Sequence, residues 1–389
     1  MKTYEEYLKR LISLCRSFDR DAERESRRRW DGIGKPIDGL GLLEVMTAKI
    51  AGMTGDLVIS LRKKAVAVMC GDHGVVAEGV TQTGLEITAL VAENIAAETS
   101  SVCLMARTAG ADVFAADLGI ACEYEKKWKT VPEESVLKKI LPEEKEGFCL
   151  PPSGRLTKGK IAGKKVAGGT ADLAKEPAMT REQAALAVCR GIEAAAELKE
   201  QGYDIIVTGE MGIGNTTPAS AAACCLCGMK PEEATGRGAG LTQEGLERKI
   251  SAVKRALILH RPDPEDALDV LSKVGGFDMA GMTGLFLGGA LCGIPVVIDG
   301  VISAASAALA CRLHPGCRDF MLASHLGKEP AMKRLLEITG QEPVICAGLA
   351  LGEGTGGTAL LPLLDMALAV YGENVTFEDI RMDAYERME

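Results

Sequence analysis

Asp204-Ile205-Ile206-Val207-Thr208 runs without a break into Gly209-Glu210-Met211-Gly212-Ile213-Gly214-Asn215-Thr216-Thr217-Pro218, and then into an alanine-rich run. A short β-branched apolar run of this kind reads as a strand buried on both faces, as in a parallel sheet. Thr216 or Thr217 supplies an N-cap and Pro218 falls in a first helical turn, so the glycine loop opens a helix. The same strand-to-turn step recurs on either side. Ala65-Val66-Ala67-Val68-Met69-Cys70 ends at Gly71-Asp72-His73-Gly74, and Asp112-Val113-Phe114-Ala115-Ala116 ends at Asp117-Leu118-Gly119. Pro295-Val296-Val297-Ile298 enters Asp299-Gly300, and Asp319-Phe320-Met321-Leu322-Ala323 enters Ser324-His325. A sixth run, Pro343-Val344-Ile345-Cys346-Ala347-Gly348-Leu349, leads to Gly352-Glu353-Gly354-Thr355-Gly356-Gly357. Helical stretches lie between or after these runs, at 85–109, 180–201, 243–259, 279–292 and 357–371. The alternation predicts an α/β fold, a Rossmann-like parallel six-stranded sheet covered by helices. Residues 41–357 are expected to form this large α/β domain, and 1–40 together with 358–389 a small helical domain built from both chain termini. Residues 4–30 read as a surface helix, and 121–165, charged and weakly periodic, as an excursion over the surface.

Composition narrows the function. Apolar residues make up 47% of the 389, enough for a sizeable core, while aromatics are only 4%, so Ala, Val, Leu and Ile must fill it. The net charge is −9 and the one basic tract is Arg27-Arg28-Arg29, which excludes a phosphate-backbone footprint for nucleic acid. No apolar run approaches membrane-spanning length, since the longest candidate, 284–311, is broken by Pro295 and Asp299. Of the thirteen cysteines, Cys224 and Cys227 make a C-x-x-C that no second pair matches, so neither a zinc site nor a disulfide framework is expected. With no cleavable apolar segment at the amino terminus, a reduced cytoplasm is the expected compartment.

Two strand-end loops each hold a lone glutamate among glycines, Glu210 and Glu353. Open parallel sheets bind ligands beyond their strand carboxyl ends. A glycine loop that enters a helix offers free N–H groups to an anion. A carboxylate there repels phosphate, so it needs another purpose: proton transfer, or an electropositive ring. The pairing points to an enzyme for a small phosphorylated, nitrogen-containing compound. A tight turn alone would explain the glycines of 209–217, though not Glu210 or Asn215, and Glu353 reads equally well as a solvated loop carboxylate. His73 and His325 sit just past strand ends, where turn residues also occur, and His260 and His314 close helices. Gly352, Gly354 and Gly357 satisfy G-x-G-x-x-G, but the second strand and acid of a dinucleotide fold do not follow. No P-loop motif occurs, nor the paired acids of transferases that use a pyrophosphate-bearing ribose.

Residues 209–218, Leu271-Ser272-Lys273-Val274-Gly275-Gly276-Phe277-Asp278, Gly281-Met282-Thr283-Gly284 and Leu351-Gly352-Glu353-Gly354 resemble the nicotinate-nucleotide–dimethylbenzimidazole phosphoribosyltransferase family. Asp72-His73-Gly74-Val75 and Pro177-Ala178-Met179 fit it too, in order over roughly 35–370. The resemblance implies transfer of phosphoribose from nicotinate mononucleotide to a benzimidazole-type base, for the lower ligand of cobalamin-type corrinoids. It implies a homodimer, with no cofactor and no metal. Glu353 would be the catalytic base. Glu210, Gly212, Gly214, Asn215, Thr216, Gly238 and Lys249 would bind the donor and its phosphate, and Thr83, Val91 and Leu351 the acceptor. His73, Asp299 and His325 are further candidates. Where some relatives have Gln, Ser and Arg, this chain is read as having Val91, Gly327 and Ala350, which leaves adenine or a phenol open as acceptor. A nucleotide-binding subunit that needs a paralogous partner is the alternative.

Overall fold

The computed structural model describes residues 3–141 and 149–387. Six parallel strands form one sheet: β1 (Lys64–Gly71), β2 (Ala111–Gly119), β3 (Ile161–Gly163), β4 (Ile205–Met211), β5 (Val296–Ile298) and β6 (Met321–Ala323). They lie in the order β3-β2-β1-β4-β5-β6. β1 is the hinge of the topology. Lys64–Cys70 pairs with 111–117 on one side and with 205–211 on the other, so the chain turns back between β1 and β4. That crevice is where such sheets bind ligands. Every residue of β1 is buried, as a strand covered on both faces must be.

The α/β class and the strand count agree with the sequence reading, but the sixth strand is a different one. Ile161–Gly163 pairs with 115–117 of β2, inside the stretch read as a surface excursion. Residues 343–349 instead form only a single bridge, Ile345 with His325, and Cys346 is exposed. Three residues are too few for a periodic signal, whereas the apolar run at 343–349 gives a strong one yet is only partly covered.

Two helical expectations also change. The stretch 85–109 is two helices, Glu86–Ala96 and Ser101–Ala109, separated where Glu98 takes φ +59°. The amino-terminal segment is likewise two, Tyr4–Ser13 and Arg20–Gly32. The first buries Tyr7, Leu8 and Leu11 in the main core, so it is more than a solvated face. Trp30, Ile33 and Tyr371 form a separate small core, and Ile33 bridges Thr376, which brings the two ends of the chain together.

Helix Arg181–Glu200 crosses helix Phe277–Cys292, whose sixteen residues are all buried. The crossing depends on glycine. A Cβ at Gly191 would lie 1.9 Å from the Gly281 carbonyl oxygen and 2.8 Å from Gly284 Cα, both backbone atoms that cannot rotate away. Gly191→Ala is therefore expected to cost at least the roughly 1–3 kcal/mol typical of overpacking, and to lower the urea midpoint accordingly. An unchanged midpoint would show that the helices can part without loss.

Candidate active site

The ends of β1 and β4 approach so closely that side chains are excluded. A Cβ at Gly212 would lie 2.2 Å from the Gly71 carbonyl oxygen and 3.0 Å from His73 Nε2. At Gly214, φ is +92° and a Cβ would lie 2.9 Å from Val76. Helix Thr216–Cys227 begins directly afterwards with Asn215 as its N-cap, one position before the expected threonines. Asn215 does not cap the helix with its side chain. Its Nδ2 instead donates to Glu210 Oε2 and, at 3.1 Å, to Asp278 Oδ2. Asp278 Oδ1 in turn lies 3.2 Å from His73 Nε2, and both of these residues are fully buried. A polar line His73–Asp278–Asn215–Glu210 thus runs beneath the loop. Burial pushes the Glu210 carboxyl well up, with the Asp278 charge adding to it and the Asn215 amide opposing.

Glu210 also reaches the second glycine loop. A Cβ at Gly352 would sit 2.5 Å from Glu210 Oε1, and one at Gly209 would sit 2.6 Å from the Glu353 carbonyl oxygen. The sequence reading puts these two loops at the ends of two strands. The structure instead places the second at the start of helix Thr355–Glu373, leaning on β4. Gly352, Glu353 and Gly354 have φ of +90°, +60° and +91°. The middle residue is a non-glycine in a region that costs energy and persists only where its surroundings enforce it. Glu353 is half-buried, and its Oε2 is shielded from solvent with no hydrogen-bond partner among the described residues. Burial pushes its carboxyl up; the Val102 backbone amide opposes this, and the Asp299 charge adds to it. His325 is buried beside Asp299, with Nδ1 2.9 Å from Ser324 Oγ. Burial pushes this imidazole down, and Asp299 pulls it up.

Lys249 of helix Gln243–His260 is completely buried. Its Nζ donates to Thr216 Oγ1 at 2.8 Å and to the Gly236 carbonyl at 3.0 Å. Burial holds this ammonium down at about 8, only partly offset by Glu329. Gly238, at φ +53°, has room for no side chain beyond that point: its Cβ would stand 3.0 Å from Thr216 Oγ1 and 3.5 Å from Lys249 Nζ. A buried cation whose bonded partners are neutral is well suited to take an anion.

These elements enclose a cleft of about 220 Å³. Thr83, Glu210, Gly212, Gly214, Asn215, Thr216, Gly238, Asp299, His325, Leu351 and Glu353 all line it, as do Gly327 and Ala350. Lys249 stands behind Thr216, and His73 behind Gly212. Val91 is not among the lining residues; on helix Glu86–Ala96 it packs, half-buried, against the core. Arg237, Ser303, Lys328 and Glu329 also line the cleft, and the sequence reading does not single them out. The flanking of Arg237 by Gly236 and Gly238 is a usable signal; Ser303, inside an alanine-rich helix, gives none. Among the described residues no cluster of His, Cys, Asp or Glu could hold a metal ion, and no helix is long and apolar enough to cross a membrane.

The family model described as Phosphoribosyltransferase matches residues 15–381. A nicotinate-nucleotide–dimethylbenzimidazole phosphoribosyltransferase of Acetivibrio thermocellus is 39% identical over 360 residues, 92% of this chain and 93% of the relative. The Escherichia coli protein of the same name is 37% identical over 362 residues, covering 93% and 92%. A crystal structure of CobT from Thermus thermophilus superposes with a TM-score of 0.81 at 35% identity, covering 93% of this chain and 99% of that one.

Proposed function

This chain belongs to the nicotinate-nucleotide–dimethylbenzimidazole phosphoribosyltransferase family, and from that premise we propose that it carries phosphoribose from nicotinate mononucleotide to 5,6-dimethylbenzimidazole or a related base. The products are nicotinate and an α-ribazole 5′-phosphate. The 5′-phosphate is held by the 212–216 loop, Gly238 and Lys249, because this corner offers a buried cation and glycine backbone with no side chain in the way. Glu353, which lines the same cleft, is the general base. The acceptor nitrogen attacks the anomeric carbon from the face opposite the leaving ring, and its bond to that carbon forms as the carbon–pyridinium bond breaks. The electron pair of the broken bond neutralises the nicotinate ring nitrogen, and the acceptor's ring proton passes to Glu353. Gly327, Ala350 and the exposed Leu351 give the acceptor end a small, apolar rim suited to a flat heterocycle. The observation that carries this reading is Glu353, held on the cleft wall in an enforced left-handed conformation with its proton affinity raised.

The direct test mixes the purified chain with nicotinate mononucleotide and 5,6-dimethylbenzimidazole and follows nicotinate by chromatography. Absence of release at high enzyme concentration, with several bases tried, would remove the proposal. The phosphate corner adds a pH signature. The Lys249 ammonium is present below about 8 and is lost above it, so the KM for the nucleotide should stay flat below that pH and climb above it. Lys249→Met should raise that KM about tenfold or more, as the loss of a charge-assisted bond of roughly 1.5–3 kcal/mol requires, and abolish the climb. A climb that persists in Lys249→Met assigns the titration to another group.

A further inference from the structure

Asp299, which directly follows β5, is a buried carboxylate, 3% exposed, and its hydrogen bonds go to one place. Oδ1 accepts from the Gly357 N–H at 2.8 Å and Oδ2 from the Gly354 N–H at 3.3 Å. Both donors belong to the first turn of helix Thr355–Glu373, where the helix dipole favours an anion. Between them Gly356 is pressed so close that a Cβ would lie 2.1 Å from the His325 ring and 3.0 Å from Asp299 Oδ1. The left-handed run Gly352, Glu353 and Gly354 leads straight into this anchored turn, sharing Gly354 with it. Ser303 Oγ accepts from the Asp299 backbone N–H at 3.1 Å, fixing the residue on its own side.

We propose that Asp299 is the positioning residue of this site: it bolts the turn 354–357 to the end of β5 and so fixes where the Glu353 carboxyl meets the acceptor. This rests on the reading of Glu353 as the base. Asp299 acts through that residue in two ways, by geometry and by charge. A misplacement of about 1 Å in a reacting group can cost roughly 10²-fold. Beyond that, burial is the main cause of the raised proton affinity of Glu353, the Val102 amide opposes it, and Asp299 is the like charge that adds to it. The other groups that bear on Glu353 are the Cys103 thiol on helix Ser101–Ala109 and Glu210, which reaches Gly352; His325 bears on Asp299 itself.

The test measures kcat and KM across pH for Asp299→Asn, Asp299→Ala and Glu353→Gln in the full-length chain, with folding checked by far-ultraviolet circular dichroism. Asp299→Ala should lower kcat at least about tenfold while KM for the nucleotide changes less than about threefold. Asp299→Asn should fall between it and the wild type, because a carboxamide oxygen can still accept from Gly357. In both variants the acid limb of the kcat profile should move to lower pH, since a like charge has gone. A purely structural role would not shift that limb. A limb fixed at its wild-type position in Asp299→Asn, or a kcat of Asp299→Ala within about threefold of wild type, overturns the inference. Should Asp299→Ala fail to fold, the near-isosteric Asp299→Asn decides alone. Glu353→Gln separates the two readings. If it is fully active, the base assignment falls and the inference with it; if it is impaired while the Asp299 variants are not, only the inference falls.

Discussion

Replacing Glu353 with glutamine should lower kcat by about 10²–10⁴-fold, the usual worth of a positioned general base, and leave the KM for the nucleotide nearly unchanged. Glutamine keeps the shape of the side chain and the left-handed backbone of the loop, so the Gly354 and Gly357 amides remain on Asp299. Only the proposed proton acceptor is lost. The corner proposed for the phosphate, at Thr216, Gly238 and Lys249, contains no part of Glu353, so donor binding should persist. The wild-type profile supplies the sign. A base works when ionised, and the Glu353 carboxyl is pushed above its ordinary range first by burial. Turnover should therefore fall as pH drops through a value higher than that of a solvated glutamate, and that limb should vanish in Glu353→Gln. The defect should also shrink for acceptors whose ring proton is more acidic, because these need the base less. Steady-state rates with a series of bases read both effects, and a variant that turns over at the wild-type rate removes Glu353 from the chemistry.

Why this site can be read in the chain at all, and where the reading stops, follows from range. The β1, β2 and β4 runs are each largely buried on both faces, so their composition alone announces them. Glycines at 212, 214, 352 and 354 announce the loops because backbone must pass where a Cβ has no room. Partners set by the tertiary path leave no such mark. Asp299 looks like any polar strand end until Gly354 and Gly357, more than fifty residues later, are seen to depend on it. Asn215 invites a capping role, yet the fold turns its amide toward Glu210 and Asp278. Val91 takes a pocket position through the family resemblance, but in space it packs against the core. The run 343–349 misleads for the opposite reason. Its composition is that of a buried strand, while its place is beside the cleft, where Leu349 and its neighbours Ala350 and Leu351 line the wall.

Lys164→Met should destabilise the protein by about 3–5 kcal/mol, the largest stability effect expected here, because it strands buried carboxylates. Lys164 directly follows β3, in the stretch whose charges read as surface, and it is completely buried. Its Nζ bonds Glu193 at 3.0 Å and Glu197 at 2.8 Å, both on the buried face of helix Arg181–Glu200. Arg190 also bonds Glu193, at 2.9 Å, and reaches the Pro151 carbonyl, so two cations meet two anions and the segment is riveted to the helix. A charge run in sequence carries no sign of this, since pairing needs the fold. Burial pushes the Glu193 carboxyl up, but Lys164 and Arg190 outweigh it and hold it down at about 2. Glu197 has no second cation: burial already pushes its carboxyl up, and only Lys164 and the Leu156 amide oppose that. Without Lys164, Glu197 should take a proton in the folded state at a pH where the unfolded chain is ionised. The folded variant then binds more protons than the unfolded one, and its stability falls as pH rises past the unfolded glutamate pKa. The deficit should thus be largest near neutrality and shrink in acid. Lys164→Met combined with Glu197→Gln should recover most of it, since removing both charges leaves Arg190 balanced against Glu193. Urea denaturation of the single and double variants at two pH values measures all three effects. A single variant as stable as the wild type at neutral pH would mean that the 151–164 segment is held by something other than these ion pairs.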